Sequence, residues 1–261
     1  MLNLTFTLAA LLEICFPFLL GFWLIRRYHT SWKLFGIGML IFIGSQIIHI
    51  PLLLGLTALF QNDVLPAPPP AISPYFNAVA LGLLAGLCEE PARWIAYRLL
   101  KKRGDSWGSA LTLGAGHGGI ESIFVGFSVL VNFMLFFLLK EGDLQLPAIT
   151  AGDVASYWNT PWHLPLAGAL ERLIAITLHI TLSAMVWLSV RNRSWGWMVG
   201  AILLHALFNV LAVLLLQTFQ WSAWGIEGIL LILSALCLSL LYWIYHRYVN
   251  PLRSSMDHTA K

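Results

Sequence analysis

Residues 108–139, GSALTLGAGHGGIESIFVGFSVLVNFMLFFLL, decide the fold class. A membrane-spanning helix needs about 20 mostly apolar residues, and this run exceeds that with length to spare for a tilt or a kink. Its one acidic residue is Glu121, and it holds no lysine or arginine. Six further runs of the same character flank it, at about 3–25, 34–60, 78–100, 163–190, 195–217 and 222–246. The composition agrees. Hydrophobic residues make up 59% of the 261 and charged residues 10%, against roughly 25% charged in a soluble domain. Mean hydropathy is +0.78. A soluble domain, a disordered chain, a coiled coil and a disulfide scaffold are all excluded on these grounds. The expectation is an all-α, polytopic bundle of about seven transmembrane helices forming one integral-membrane domain, 1–261.

The loops predict its orientation. Of 15 Lys and Arg, Arg26, Arg27, Lys33, Arg98, Lys101, Lys102, Arg103, Arg191, Arg193, Arg247, Arg253 and Lys261 fall in alternate connections or the tail. The opposite loops, 61–77 and 140–162, carry only Lys140. Positive charge marks the cytoplasmic side, so the N-terminus is expected outside and the C-terminus in the cytoplasm, in the plasma (inner) membrane. The first apolar run has no basic stretch before it and is expected to remain as an anchor. Pro51, following Gln46 and His49, predicts a break in the second span. Cys15, Cys88 and Cys237 lie in apolar segments and suggest neither disulfide nor cysteine-based metal site. The tail RSSMDHTAK is expected to be solvated.

Ionisable residues inside the spans carry the functional signal. Arg93, Arg172, Glu13, Glu89, Glu90, Glu121 and Glu171 all lie there, and each costs roughly 2.5–3.5 kcal/mol at a helix centre. They must face the bundle interior and find partners. Arg93 follows Glu89 by four residues and Glu90 by three, within reach of either. One carboxylate is expected to pair with it and the other to be free for chemistry. His117 and Glu121 are four apart on the fourth span, among Gly114, Gly116, Gly118 and Gly119, which permit close helix approach. His205 and Asn209 are likewise four apart on the sixth. Arg172 and His179 share a face of the fifth, with Glu171 turned aside. At about 1.5 Å per residue, Glu90, His117, His179 and His205 come to one depth, with Glu121 and Asn209 a turn further out.

A glutamate and histidines around a water can abstract its proton and aim the oxygen at a carbonyl, while an amide or imidazole stabilises the oxyanion. The same set could hold a zinc with an open position. Neither HExxH nor GxSxG is present.

CEEPARW, GAGHGGIE, the Glu171–Arg172 pair and HALFN, in that order on such helices, resemble the YhfC family of intramembrane proteases. That family is related to the CAAX-protease and bacteriocin-processing (CPBP) group and to PrsW-type proteases. The resemblance covers about residues 5–220. It implies that Glu89 and Glu90 activate water, that His117 and His205 are their partners, and that Asn209 is the oxyanion donor or an orienting group. Arg93 completes the set, with Glu121, Glu171, Arg172 and His179 in support. It implies glutamate-activated water with no required cofactor; the alternative is one divalent metal such as zinc on His117, His205 and Glu90. The stretch GHGGIE departs from the FxxxH of CAAX proteases, which leaves open how His117 meets the water.

The substrate expected is a membrane-associated peptide or protein, with no nucleic acid involved. Two rival readings use the same residues: a non-catalytic scaffold or chaperone similar to APH-1 subunits, and a proton-coupled transporter. Bland roles are expected elsewhere: Glu13 bonding a neighbouring helix, Gln46 and His49 serving backbone groups freed by Pro51, and His29, His246 and His258 at the cytoplasmic surface. Trp32, Trp107, Trp162, Trp195, Trp221 and Trp224 read as an interfacial belt.

Overall fold

The computed structural model describes residues 1–250; Arg253, His258, Lys261 and the rest of the expected tail lie outside them. Eight α-helices follow one another: α1 (Leu2–Tyr28), α2 (Trp32–Gln61), α3 (Ser73–Leu100), α4 (Trp107–Glu141), α5 (Ala151–Trp158), α6 (Leu164–Asn192), α7 (Trp195–Val213) and α8 (Ala223–Ile244). The described residues contain no strand. α7 and α8 each end in a π-helical turn, Leu214–Thr218 and Tyr245–Val249. Seven long helices stand where seven spans are expected. Six are long and apolar enough to cross a membrane. α3 has comparable length but carries Glu89, Glu90, Arg93 and Arg98 in its second half, the residues that build the site. The protein is an all-helical, multi-pass membrane protein.

α4 and α6 form the centre. α4 packs on α1, α2 and α6, and α6 packs on α1, α3, α4, α7 and α8. The glycines of α4 make this possible. A Cβ on Gly114 would stand 2.6 Å from the Ile180 Cα of α6. A Cβ on Gly38 of α2 would stand 3.1 Å from the Gly116 Cα. These backbones meet with no side chain between them, which brings the histidines of α4 and α6 together.

Packing is uneven along the bundle axis. At the end bearing Arg26, Arg27, Lys33, Arg98 and Arg191, every α4 residue from Trp107 to Ile120 is buried. Toward the other end α2 has no buried residue beyond Ser45.

Three expectations are corrected. α2 runs unbroken through Pro51: proline removes one hydrogen bond from the ladder, and a long membrane helix tolerates that loss. Trp107 is buried, its ring 6.2 Å from Trp187 and 5.8 Å from Tyr245, so it belongs to the core and not to the belt. The 140–162 connection also contains α5. There the Thr150 side chain accepts from the Asp153 N–H at 3.2 Å, and Asp153 Oδ2 accepts from the Thr150 N–H at 2.8 Å, a capping box. The Thr150 hydroxyl, which donates to Oδ2 at 2.7 Å, and the Thr150 N–H lower the Asp153 pKa below its ordinary value.

Candidate active site

The second half of α3 sets the site. Glu89, Glu90 and Arg93 are all buried. Arg93 pairs with Glu90, one turn away on its own helix. The other Glu90 oxygen accepts from His205 Nδ1 on α7 at 2.8 Å. Both Glu90 oxygens are thereby engaged, and Glu89 is the carboxylate that faces open space.

That pairing fixes the ring nitrogens. An ionised Glu90 only accepts, so His205 carries its proton on Nδ1. In the neutral ring Nε2 is then a lone pair, and it stands 3.9 Å from Glu89 Oε2. Arg93 only donates, so His179 Nδ1, 3.2 Å from Arg93 Nη2, is an acceptor. His179 must therefore donate from Nε2 to Glu121 Oε2, 2.8 Å away. The Arg93–Glu90 pair thus grips two histidines on two helices by their Nδ1 atoms.

Glu89 Oε2 lies 2.9 Å from His117 Nε2, and Oε1 accepts from Gln46 Nε2 at 3.3 Å. The His117 ring lies 4.7 Å from that of His179, tilted by 36°, and the His179 ring is 5.3 Å from His205. The common depth expected for the three imidazoles is matched by this cluster. His117 Nδ1 is buried without a partner. Beyond the histidines, Glu121 Oε1 accepts from Arg172 at 2.8 Å, and Arg172 also pairs with Glu171. Glu171 is thus not turned aside but closes the arginine's second fork.

A half-open cavity of about 250 Å³ joins these groups. It is lined by Glu89, His179, His205, Asn209, Glu121 and Arg172, among others. Its volume is below the roughly 300–1,000 Å³ of sites for drug-sized ligands, and suits waters with a short stretch of peptide. Asn209 lies one turn from His205 and contributes to the wall.

The structure alters several assignments. Glu90, expected to activate water together with Glu89, is held by Arg93 and His205 and does not line the cavity, and His117 bonds Glu89. Glu90 and His117 are likewise not the metal ligands the geometry offers. Donor atoms of Glu89, His179 and His205 lie within 4.8 Å of one another, a His₂Glu set of the kind that holds catalytic zinc. Gln46 and His49 do not serve the backbone: His49 Nδ1 lies 3.2 Å from Gln46 Oε1, extending the chain His49–Gln46–Glu89. Glu13 bonds no neighbouring helix through its carboxylate, whose Oε2 is buried and unpartnered. Its main-chain carbonyl accepts from Ser122 Oγ at 2.8 Å. Glu227 on α8 escapes a reading of motifs altogether. It is buried, its Oε2 also lacks a partner, and a glutamate five residues into an apolar span was signal enough.

The chain from residue 10 to residue 230 matches the sequence family described as YhfC intramembrane metalloprotease. The chain belongs to the YhfC family. It is 32% identical, over 247 residues, to the "Uncharacterized membrane protein YhfC" of Bacillus subtilis (strain 168), an alignment covering 91% of this chain and 93% of that one. No solved structure matches. Membership points to an intramembrane protease. The family's description and the Glu89, His179 and His205 cluster give no support to the expectation of a metal-free site.

Proposed function

We propose that the protein is an intramembrane endopeptidase that hydrolyses a peptide bond of a membrane-associated substrate at the Glu89–His205 gap. One observation carries this reading. Glu89 Oε2 and His205 Nε2, the ring nitrogen that Glu90 leaves free, face each other at 3.9 Å on a cavity wall, too far apart to bond directly. A water or a cation fits between them.

The donor set and its spacing fit a divalent metal, which Glu89, His179 and His205 would hold once His179 exchanges one of its present hydrogen bonds. When bound, such an ion polarises a carbonyl and acidifies a water.

The chain's own residues account for the rest. Glu89, steadied from His117 and Gln46, retains a lone pair on each oxygen and takes the proton of the attacking water. His205, oriented by Glu90, presents Nε2 to the gap, as a ligand where an ion is bound and otherwise as an acceptor for the same water. The Asn209 amide donates to the oxygen that becomes negative. The proton held on Glu89 then passes to the leaving amine. Arg93 holds Glu90 and His179 in place, and Glu121 with Arg172 holds His179 from the other side.

The basic end of the bundle faces the cytoplasm in this reading, with the N-terminus outside, the plasma membrane as location and the whole chain as one domain. The test is purified protein in liposomes with a library of single-pass transmembrane peptides, products read by mass spectrometry. Wild type is expected to release discrete fragments and Glu89→Gln none. Equal fragments from both would remove the reading. Loss of partner assembly on substituting the same residues, with no fragment from wild type, would favour a scaffold.

A further inference from the structure

A second and larger cavity, about 530 Å³, lies between α1 and α8 with α4 and α6 as its floor, on the far side of α6 from α3. The active-site reading makes no use of it. On α1 it runs from Phe16 to Arg27, about 16 Å at the helical rise. That is about half of the roughly 30 Å hydrocarbon core, one leaflet deep. Its walls grade from one chemistry to another. The inner part is apolar, with Leu20 and Leu24 on one side and Leu238 and Leu241 on the other. The outer part, at the basic end of the bundle, carries Arg27, Tyr28 and Tyr245.

Arg27 makes no ion pair among the described residues. Its guanidinium carbon lies 5.7 Å from the Tyr28 ring centre. It is exposed, so its charge is available to a ligand.

We propose that this cleft is a binding site for one anionic glycerophospholipid of the leaflet at the basic end. An acyl chain lies along the apolar walls, and the phosphate meets Arg27 with the two phenols as additional donors. Charge complementarity decides the occupant. A protein helix would cover apolar walls but would leave Arg27 unpaired. A zwitterionic lipid offers the phosphate together with a second cation, whereas an anionic lipid offers the phosphate alone. The volume falls within the roughly 300–1,000 Å³ of ligand sites. The proposal is independent of the protease reading.

The full chain, exchanged into phosphatidylcholine and titrated with phosphatidylglycerol, is assayed by native mass spectrometry. One phosphatidylglycerol per chain is expected to be retained in preference to phosphatidylcholine. Arg27→Gln is expected to weaken that preference about fivefold, the effect of one cation near an anionic surface. Leu241→Trp, which fills the cleft, is expected to lower retention of both lipids; Leu20→Phe replaces it should that variant fail to fold. Arg98→Gln, on another face of the bundle, is expected to leave retention unchanged. Equal retention of the two lipids by wild type overturns the proposal. So does an Arg27→Gln variant with undiminished preference, or a photocrosslinker at Leu20 that captures a polypeptide instead of lipid.

Discussion

His205 Nε2 stands 3.9 Å from Glu89 Oε2, while Nδ1 of the same ring donates to Glu90 at 2.8 Å. The two neighbouring glutamates of α3 therefore act on one histidine from two directions. Glu90 sets which nitrogen holds the proton, and Glu89 faces the nitrogen that is left. Glu89→Gln replaces an ionised acceptor by an amide that cannot take a proton. Peptide release in liposomes is expected to fall by about 10²–10⁴, the range for loss of a general base, with the elution profile of the purified protein unchanged. A drop of less than threefold would exclude Glu89 as the base.

Metal content is an independent readout. Elemental analysis of the purified protein is expected to find close to one divalent ion per chain. His205→Ala and Glu89→Ala should each lose it, and His117→Ala, whose ring lies behind Glu89, should largely keep it. Equal metal content in wild type and His205→Ala would remove the assignment of ligands.

Arg93 pairs with Glu90 and donates to His179, all three buried. Breaking a buried pair from one side costs about 3–5 kcal/mol. Arg93→Met is expected to lower the thermal unfolding temperature sharply, and Arg93→Met with Glu90→Gln to recover part of the loss. Arg93→Lys should not restore the wild-type value, because a point charge cannot serve both partners as the planar fork does.

Two glycines of α2 provide a packing test. A Cβ on Gly38 would stand 3.0 Å from the His117 nitrogen, and one on Gly36 meets nothing within 4 Å. Gly38→Ala is expected to destabilise by about 1–3 kcal/mol or more. Gly36→Ala should be neutral or stabilising by up to about 1 kcal/mol, the helical preference of alanine. Thermal unfolding of the two variants reads the contrast directly.

Asp153 gives a pH test outside the membrane. Thr150 lowers its pKa through two hydrogen bonds, so the capping box contributes fully above the ordinary carboxylate range near about 4. The contribution is lost as pH falls through the lowered value. Amide exchange in Ala151–Trp158 is expected to rise under those acidic conditions and not between pH 5 and 8, and Asp153→Asn should abolish the dependence.

Much of this was legible in the sequence because the membrane penalises polar groups so heavily that each one inside a span is conspicuous. Helical rise alone brought His117, His179 and His205 to one level. Rise could not choose between Glu89 and Glu90: they are adjacent, and only the positions of α2, α4 and α7 around α3 determine which oxygen meets Arg93. Gln46 and His49 were misread because Pro51 offered a local explanation, whereas their partner Glu89 lies on another helix. α5 carried its own signal in Thr150 and Asp153, but its eight residues fall below the length at which a spanning helix is sought.

The contrast between an α4 enclosed from Trp107 to Ile120 and an α2 with nothing buried past Ser45 has a bearing on turnover. One half of the bundle works as an anvil that keeps the imidazoles in register. The other half leaves α2 uncovered beside the cavity that Gln46 and His49 help to line. In the protease reading, a guest polypeptide would come and go on that uncovered side.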